Sequence, residues 1–198
     1  MGSLDDCGAM GASLAQLWSD DRGRDDYADY LERIAQYILH GQSRMTGGEY
    51  SRGKEPQRTV WADDQFMSLS FLTRYGQVSN RAECLDTAAV MVGRFHKLLV
   101  DPATGLYWHC YYEEDGSQGV AHWGRAMGWC LLAQAFLLDA LPSSIRRGLR
   151  CFVSSAQTSV ASAAINLRLA CGINCWIRLI RMRRHPVPPC SPMLWQEA

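Results

Sequence analysis

The sequence has no apolar run long enough to span a bilayer and no excess of charge of either sign. Its longest apolar stretch, Trp129 to Ala140, is broken by Gln134 and Asp139 and falls short of the ~20 residues a membrane helix needs. Twenty basic residues balance twenty acidic ones, for a formal net charge of zero, which argues against nucleic acid as the main partner. A signal-peptide pattern is missing as well: Asp5 and Asp6 stand where a basic and then an apolar segment would be required. The eight cysteines form no CxxC pair and share no ligand spacing with the five histidines. Neither a disulfide framework nor a zinc site is therefore expected, but free thiols in a reducing cytoplasm.

What is present suits one soluble domain. Of 198 residues, 47% are hydrophobic and 20% charged, enough for a sizeable core. Apolar residues recur at three- and four-residue steps from Leu4 to Leu17 and again from Asp26 to His40, which predicts two amphipathic helices with Gly41 closing the second. A Gly-, Arg- and Pro-bearing loop follows. Helix is predicted again from Trp61 to Tyr75, ending at Gly76, and from an Asn80 cap through Leu98. Leu106 to His109 suggests a short strand or hairpin, and His122 to Leu141 a last helix stopped by Pro142.

Helix, short turn, helix and long polar loop thus recur, with TGGEY at Thr46 answered by TGLYW at Thr104. Helical hairpins joined by long loops are the pattern of a closed or stacked helical array, whose loops gather on one face. After Pro142 the pattern breaks into Ser-rich and then Arg/Pro-rich text. From Phe152 onward only Glu197 is acidic, against Arg168, Arg178, Arg181, Arg183 and Arg184. Read in a shifted frame, Leu167 to Glu197 can encode a TGLYW-like loop and an apolar helix. Residues 153–198 are therefore expected to be an out-of-frame, poorly structured tail behind a domain of residues 1–152; a genuine basic tail is the other reading.

Adjacent acids at a helix start are usually caps, and Asp25-Asp26 needs no more than that. At Asp5-Asp6 and Asp63-Asp64 capping accounts for one carboxylate of each pair. A magnesium-binding DDxxD device is excluded, because the fifth residue is Met67 in one case and Ala9 in the other. His122-Trp123-Gly124-Arg125-Ala126-Met127-Gly128-Trp129 opens the last helix with an arginine between tryptophans. Indole faces stack on the C–H faces of a sugar ring, and a guanidinium pairs with a carboxylate in a fork. Together they suit an acidic sugar. His40 and His96 are read as structural residues, while His109, in a Tyr/Trp loop, is a candidate substrate contact.

LDDCGAMG, WADDQFM, TGLYWH and WGRAMGW, in that order and over residues 4 to about 152, resemble the unsaturated rhamnogalacturonyl hydrolases of glycoside hydrolase family 105, relatives of the family 88 unsaturated glucuronyl hydrolases. The resemblance implies an all-α fold, here an incomplete (α/α)6 barrel of helical hairpins that lacks the helices before Leu4 and the last third. It implies removal of a 4,5-unsaturated uronyl residue from an oligosaccharide by hydration of the enol-ether double bond, with no metal or cofactor. It places the proton-transferring aspartate at Asp63 and the second site aspartate at Asp6. His109, Trp123, Arg125 and Trp129 fall in or near the sugar pocket, and Arg52 is a further candidate. Met127 replaces a residue that is often Asn in the family. The competing expectation is an inactive remnant that at most binds uronides; a glucuronyl substrate is the other alternative.

Overall fold

The computed structural model describes residues 3–21 and 25–141; the tail expected at 153–198 lies outside the described residues. The fold is part of an (α/α)6 barrel. Its elements are α1 (Leu4–Asp20), α2 (Asp25–Gln36) continued by a π turn (Tyr37–Gly41), β1 (Thr59–Trp61), α3 (Asp63–Val78), α4 (Ala82–Leu99), β2 (Cys110–Tyr112) and α5 (Gly124–Ala140).

Helix α3 is the hub. Eleven of its 16 residues are buried, because it packs against α1, α4 and α5 at once. The α1 contact needs small residues: a Cβ on Gly8 would run into the Met67 carbonyl, and one on Gly11 would meet the side chains of Phe71 and Ile34. Leu31, Ile34, Leu69, Phe71, Leu72, Met91 and Phe95 fill the space between these helices. A buried polar chain crosses this core. Gln134 Nε2 donates to Gln65 Oε1 at 2.7 Å and to the Tyr107 hydroxyl at 3.4 Å, and that hydroxyl lies 3.0 Å from His96 Nδ1. Burial pushes the Tyr107 phenol well above its usual range and the His96 imidazole below its own. Both shifts keep the pair neutral, phenol beside imidazole.

Several helix boundaries differ from the sequence reading. Trp61 belongs to β1, not to the helix after it, since Thr59, Val60 and Trp61 alternate between two faces, with Val60 buried. The strand expected at Leu106 to His109 begins three residues past Tyr107, at Cys110. β1 and β2 pair antiparallel in the register Thr59 to Tyr112, Val60 to Tyr111 and Trp61 to Cys110. Gly76 does not stop α3: it lies inside the helix, where a Cβ would crowd Cys84, Leu85 and the Arg81 carbonyl. The glycine therefore serves close approach to α4. Asn80, expected as a cap, is instead the left-handed turn residue with φ 54°, a conformation asparagine tolerates, and extended Arg81 precedes α4.

Candidate active site

Strand β1 delivers the chain to the mouth of α3. The Ala62 amide donates to the His109 carbonyl at 2.9 Å, and the His109 amide to the Ala121 carbonyl at 3.0 Å. These two bonds set Asp63, His109 and the start of α5 side by side. His122 reinforces them: its ring stacks on Trp108 at 4.1 Å and spans the Tyr107 carbonyl and the Asp101 carboxylate, each at 3.2 Å. Beneath the mouth, the Cys130 thiol donates to the Ala62 carbonyl at 3.1 Å. Burial, with Asp63 nearby, drives that thiol far above the normal cysteine range, so it is an inert packing group.

Asp63 is buried and each of its carboxylate oxygens has a neighbour. Oδ2 lies 3.1 Å from His109 Nε2, and Oδ1 lies 4.0 Å from Arg125 Nε. The same heavy-atom geometry serves Nε2–H donating to a carboxylate or a protonated carboxyl donating to a bare Nε2, so one proton can be held between the two groups. Arg125 is 67% exposed and lies over Trp123, 5.8 Å from the ring centroid. Trp123 is itself 48% exposed. Its ring sits 6.1 Å from that of His109, which meets the edge of Trp61 at 4.9 Å. An aromatic wall and an exposed guanidinium therefore flank one buried carboxylate.

The neighbouring Asp64 is fully buried and belongs to a different arrangement. Arg52 grips it through Nε at 2.9 Å to Oδ2 and Nη2 at 2.6 Å to Oδ1, reaches Asp5 through Nη1 at 2.9 Å, and covers the Trp61 ring at 5.1 Å. Burial pushes the Asp64 carboxyl above its usual range while the Arg52 fork opposes that push. The guanidinium is in turn held more firmly protonated by Asp64, then Asp5. This is a cross-link between the mouths of α1 and α3.

Of the sequence candidates, the structure brings together Asp63, His109, Trp123 and Arg125. Arg52 is committed to Asp64 and Asp5. Trp129 lies one turn further along α5 and packs on Phe66 at 4.6 Å. Asp6 sits in the first turn of α1, where its carboxylate accepts from the Ser3 hydroxyl at 2.9 Å; among the described residues no contact joins it to Asp63. Sequence reasoning did not anticipate the Arg52–Asp64–Asp5 linkage or the place of Trp61 at the site. An arginine in the loop before two strand-forming residues was the available signal.

A family model described as Glycosyl Hydrolase Family 88 matches residues 2–168. The unsaturated rhamnogalacturonyl hydrolase YesR of Bacillus subtilis is 30% identical over 127 residues, 61% of this chain and 36% of that protein. Among solved structures, a family 105 glycoside hydrolase of C. acetobutylicum superposes with a TM-score of 0.68 at 23% identity, covering 77% of this chain and 44% of its own. The family 76 α-mannanase of Bacteroides thetaiotaomicron gives 0.66 at 15% identity, covering 82% and 44%. These two likenesses concern the fold. The chain spans less than half the length of each of these proteins, and no helix among the described residues is long and apolar enough to cross a membrane.

Proposed function

Because the chain belongs to Glycosyl Hydrolase Family 88, we propose that it acts in removing a 4,5-unsaturated galacturonyl residue from rhamnogalacturonan-derived oligosaccharides, by hydration of the enol-ether double bond. The observation that carries this reading is the buried Asp63 carboxyl, held between His109 and Arg125 beside exposed Trp123. The name of the Bacillus subtilis relative supports the rhamnogalacturonyl class.

Asp63 transfers its proton to C4 of the double bond, leaving positive charge shared by C5 and the ring oxygen. Water adds at C5 and returns a proton to the Asp63 carboxylate. The hemiketal so formed collapses and releases the next sugar, so atoms balance as one water consumed and no net proton transferred. His109 Nε2 orients the carboxyl and can hold its proton between steps. Arg125 has the reach and exposure to pair with the substrate carboxylate, and Trp123 offers the ring a stacking face. Asp6 is assigned the second acid, from the mouth of α1; Arg52, which holds Asp64, and Trp129, which packs on Phe66, are assigned places beside the bound sugar. The spacing rule for retaining and inverting glycosidases has no bearing, because nothing is displaced at the anomeric carbon. A reducing cytoplasm suits the buried thiols Cys7, Cys84, Cys110 and Cys130.

The test is incubation with an unsaturated uronyl disaccharide while the double-bond absorbance is followed. Absorbance is expected to disappear with the parent protein and to persist with Asp63→Asn. Full activity in that variant overturns the mechanism.

A further inference from the structure

Three of the five described helices stand side by side with their mouths level. Arg52 joins the first turns of α1 and α3 through Asp5 and Asp64, and Asp63 at the start of α3 lies 4.0 Å from Arg125 at the start of α5. Helices that begin together and pack along their length run parallel. α1 and α5 both pack on α3, while α2 backs α1, and α4 backs α3 and α5. α1, α3 and α5 are therefore consecutive inner helices, with α2 and α4 behind them. An (α/α)6 barrel has six inner helices, so these three make half of its ring. α3 is the middle of the arc, and α1 and α5 are its two edges.

Each edge carries an apolar stripe that points away from α3. On α1, Asp6, Met10, Ser13, Leu17 and Asp20 are exposed, at three- and four-residue steps that put them on one face. Met10 is 71% exposed and Leu17 56%. On α5 the face opposite its buried residues runs through Arg125, Gly128, Leu132, Ala135 and Asp139, with no polar group between the two charged ends. Among the described residues, a Cβ on Gly128 would meet no atom within 4 Å. The two stripes fit each other. Both helices have 17 residues, and level mouths bring the stripes into step when α1 of one copy lies beside α5 of another. Asp6 then reaches the height of Arg125, and Met10 and Leu17 interleave with Gly128, Leu132 and Ala135. Opposite charges at the mouth set the register, while the like charges of Asp20 and Asp139 meet only at the far, solvated end. A guanidinium has five N–H donors, so Arg125 keeps donors for a substrate carboxylate.

We propose that two copies of this chain associate about a two-fold axis, α1 of each against α5 of the other, and close a ring of six inner helices. With three inner helices from each copy, two copies use up all four edges and a third finds none. The pairing also completes the Asp63 pocket. That pocket is open on the side of Trp123 and Arg125, which are 48% and 67% exposed, and α1 of the second copy becomes the wall there. The association does not depend on which reaction Asp63 performs, and its test reads no turnover.

Sedimentation velocity of the full chain over a wide range of concentration is expected to show monomer passing to dimer and nothing larger. Leu17→Glu puts a charge into the apolar stripe at an exposed position, and is expected to raise the dimer Kd at least about tenfold with the circular dichroism unchanged. Asp6→Arg is expected to weaken the dimer as well, and Asp6→Arg with Arg125→Asp to return it to within about threefold of the parent. Cross-linking reads which faces meet. Met10→Cys and Gly128→Cys are made in separate chains, mixed and oxidised beside the parent protein as control. A disulfide-linked dimer is expected from the mixture and from neither variant alone. A monomer at every concentration, its edges left to residues 142–198 of the same chain, overturns the proposal. So does assembly that grows past the dimer, a dimer indifferent to Leu17→Glu, or Met10→Cys linking to itself, which would set α1 against α1.

Discussion

Helices α1 and α3 both open on two adjacent aspartates, yet their mouths are built for different ends. At α1 the cap is Ser3, in extended conformation, whose Oγ accepts from the Asp6 amide at 3.3 Å, and both acids stay exposed. At α3 the preceding residue, Ala62, is helical and offers no side-chain cap. Both acids there are buried, and each has its own partner: His109 for Asp63 and Arg52 for Asp64. What separates the two is how each mouth is held. At α1 a serine hydroxyl accepts from the first turn, whereas α3 follows a strand and the Ala62 amide, which is pinned to His109, itself bonded to the loop before α5. The dipeptide alone says nothing about which role it plays.

The strongest way to break this contrast is Asp63→Asn, which keeps the shape of the buried group and removes its acid. Turnover of the unsaturated disaccharide is expected to fall about 10³-fold, with the thermal midpoint little changed. An unaltered rate would return the α3 mouth to the status of the α1 mouth. Next in size is Arg52→Leu. It leaves Asp64 fully buried without its counter-ion, so denaturant unfolding is expected to show a loss of about 3 kcal/mol. Adding Asp64→Leu should restore part of it, because an apolar pair of similar bulk removes the unpaired charge. No such rescue is expected from Asp5 at α1, whose half-exposed carboxylate falls back on water when Arg52 is lost.

Asp6→Asn ranks third and sharpens the comparison. If the α1 mouth supplies the second acid, turnover falls about 10²-fold while stability stays within about 0.5 kcal/mol, as for an exposed surface group. A rate equal to the parent would leave α1 with capping alone.

The contrast also shows what the sequence could and could not convey. All five described helices were expected from the sequence, α1 and α2 from their three- and four-residue apolar steps, because burial of one face imposes that spacing directly; α3, buried over most of its surface, carries no such single stripe. The meeting of Asp63, His109, Trp123 and Arg125 was anticipated through the resemblance. Trp61 was misplaced because a three-residue strand is too short to show alternation beside a strong helical signal. Gly76 was misread because glycine that stops a helix and glycine that admits a neighbouring helix look alike in one dimension; the crowding by Cys84 and Leu85 exists only after α4 folds back. The Arg52–Asp64–Asp5 linkage joins positions up to 47 residues apart, and no local period records such a pairing.

The smallest expected effect concerns the caps themselves. Ser3→Ala removes the acceptor of the Asp6 amide and should destabilise by about 1 kcal/mol, read as a shift in the denaturant midpoint at constant slope. Ala62→Ser is the matching change at α3, and there capping predicts no gain. With φ −58° and ψ −35°, residue 62 already has helical angles, so a serine hydroxyl is not held in the extended geometry from which a cap reaches the second or third amide. The site is also fully buried, with its carbonyl taking the Cys130 thiol. A hydroxyl added there is expected to leave stability unchanged or lower it, whereas a gain of 1 kcal/mol, about the worth of a cap, would show that α3 lacks a cap by accident rather than because its mouth is shaped by β1 and His109.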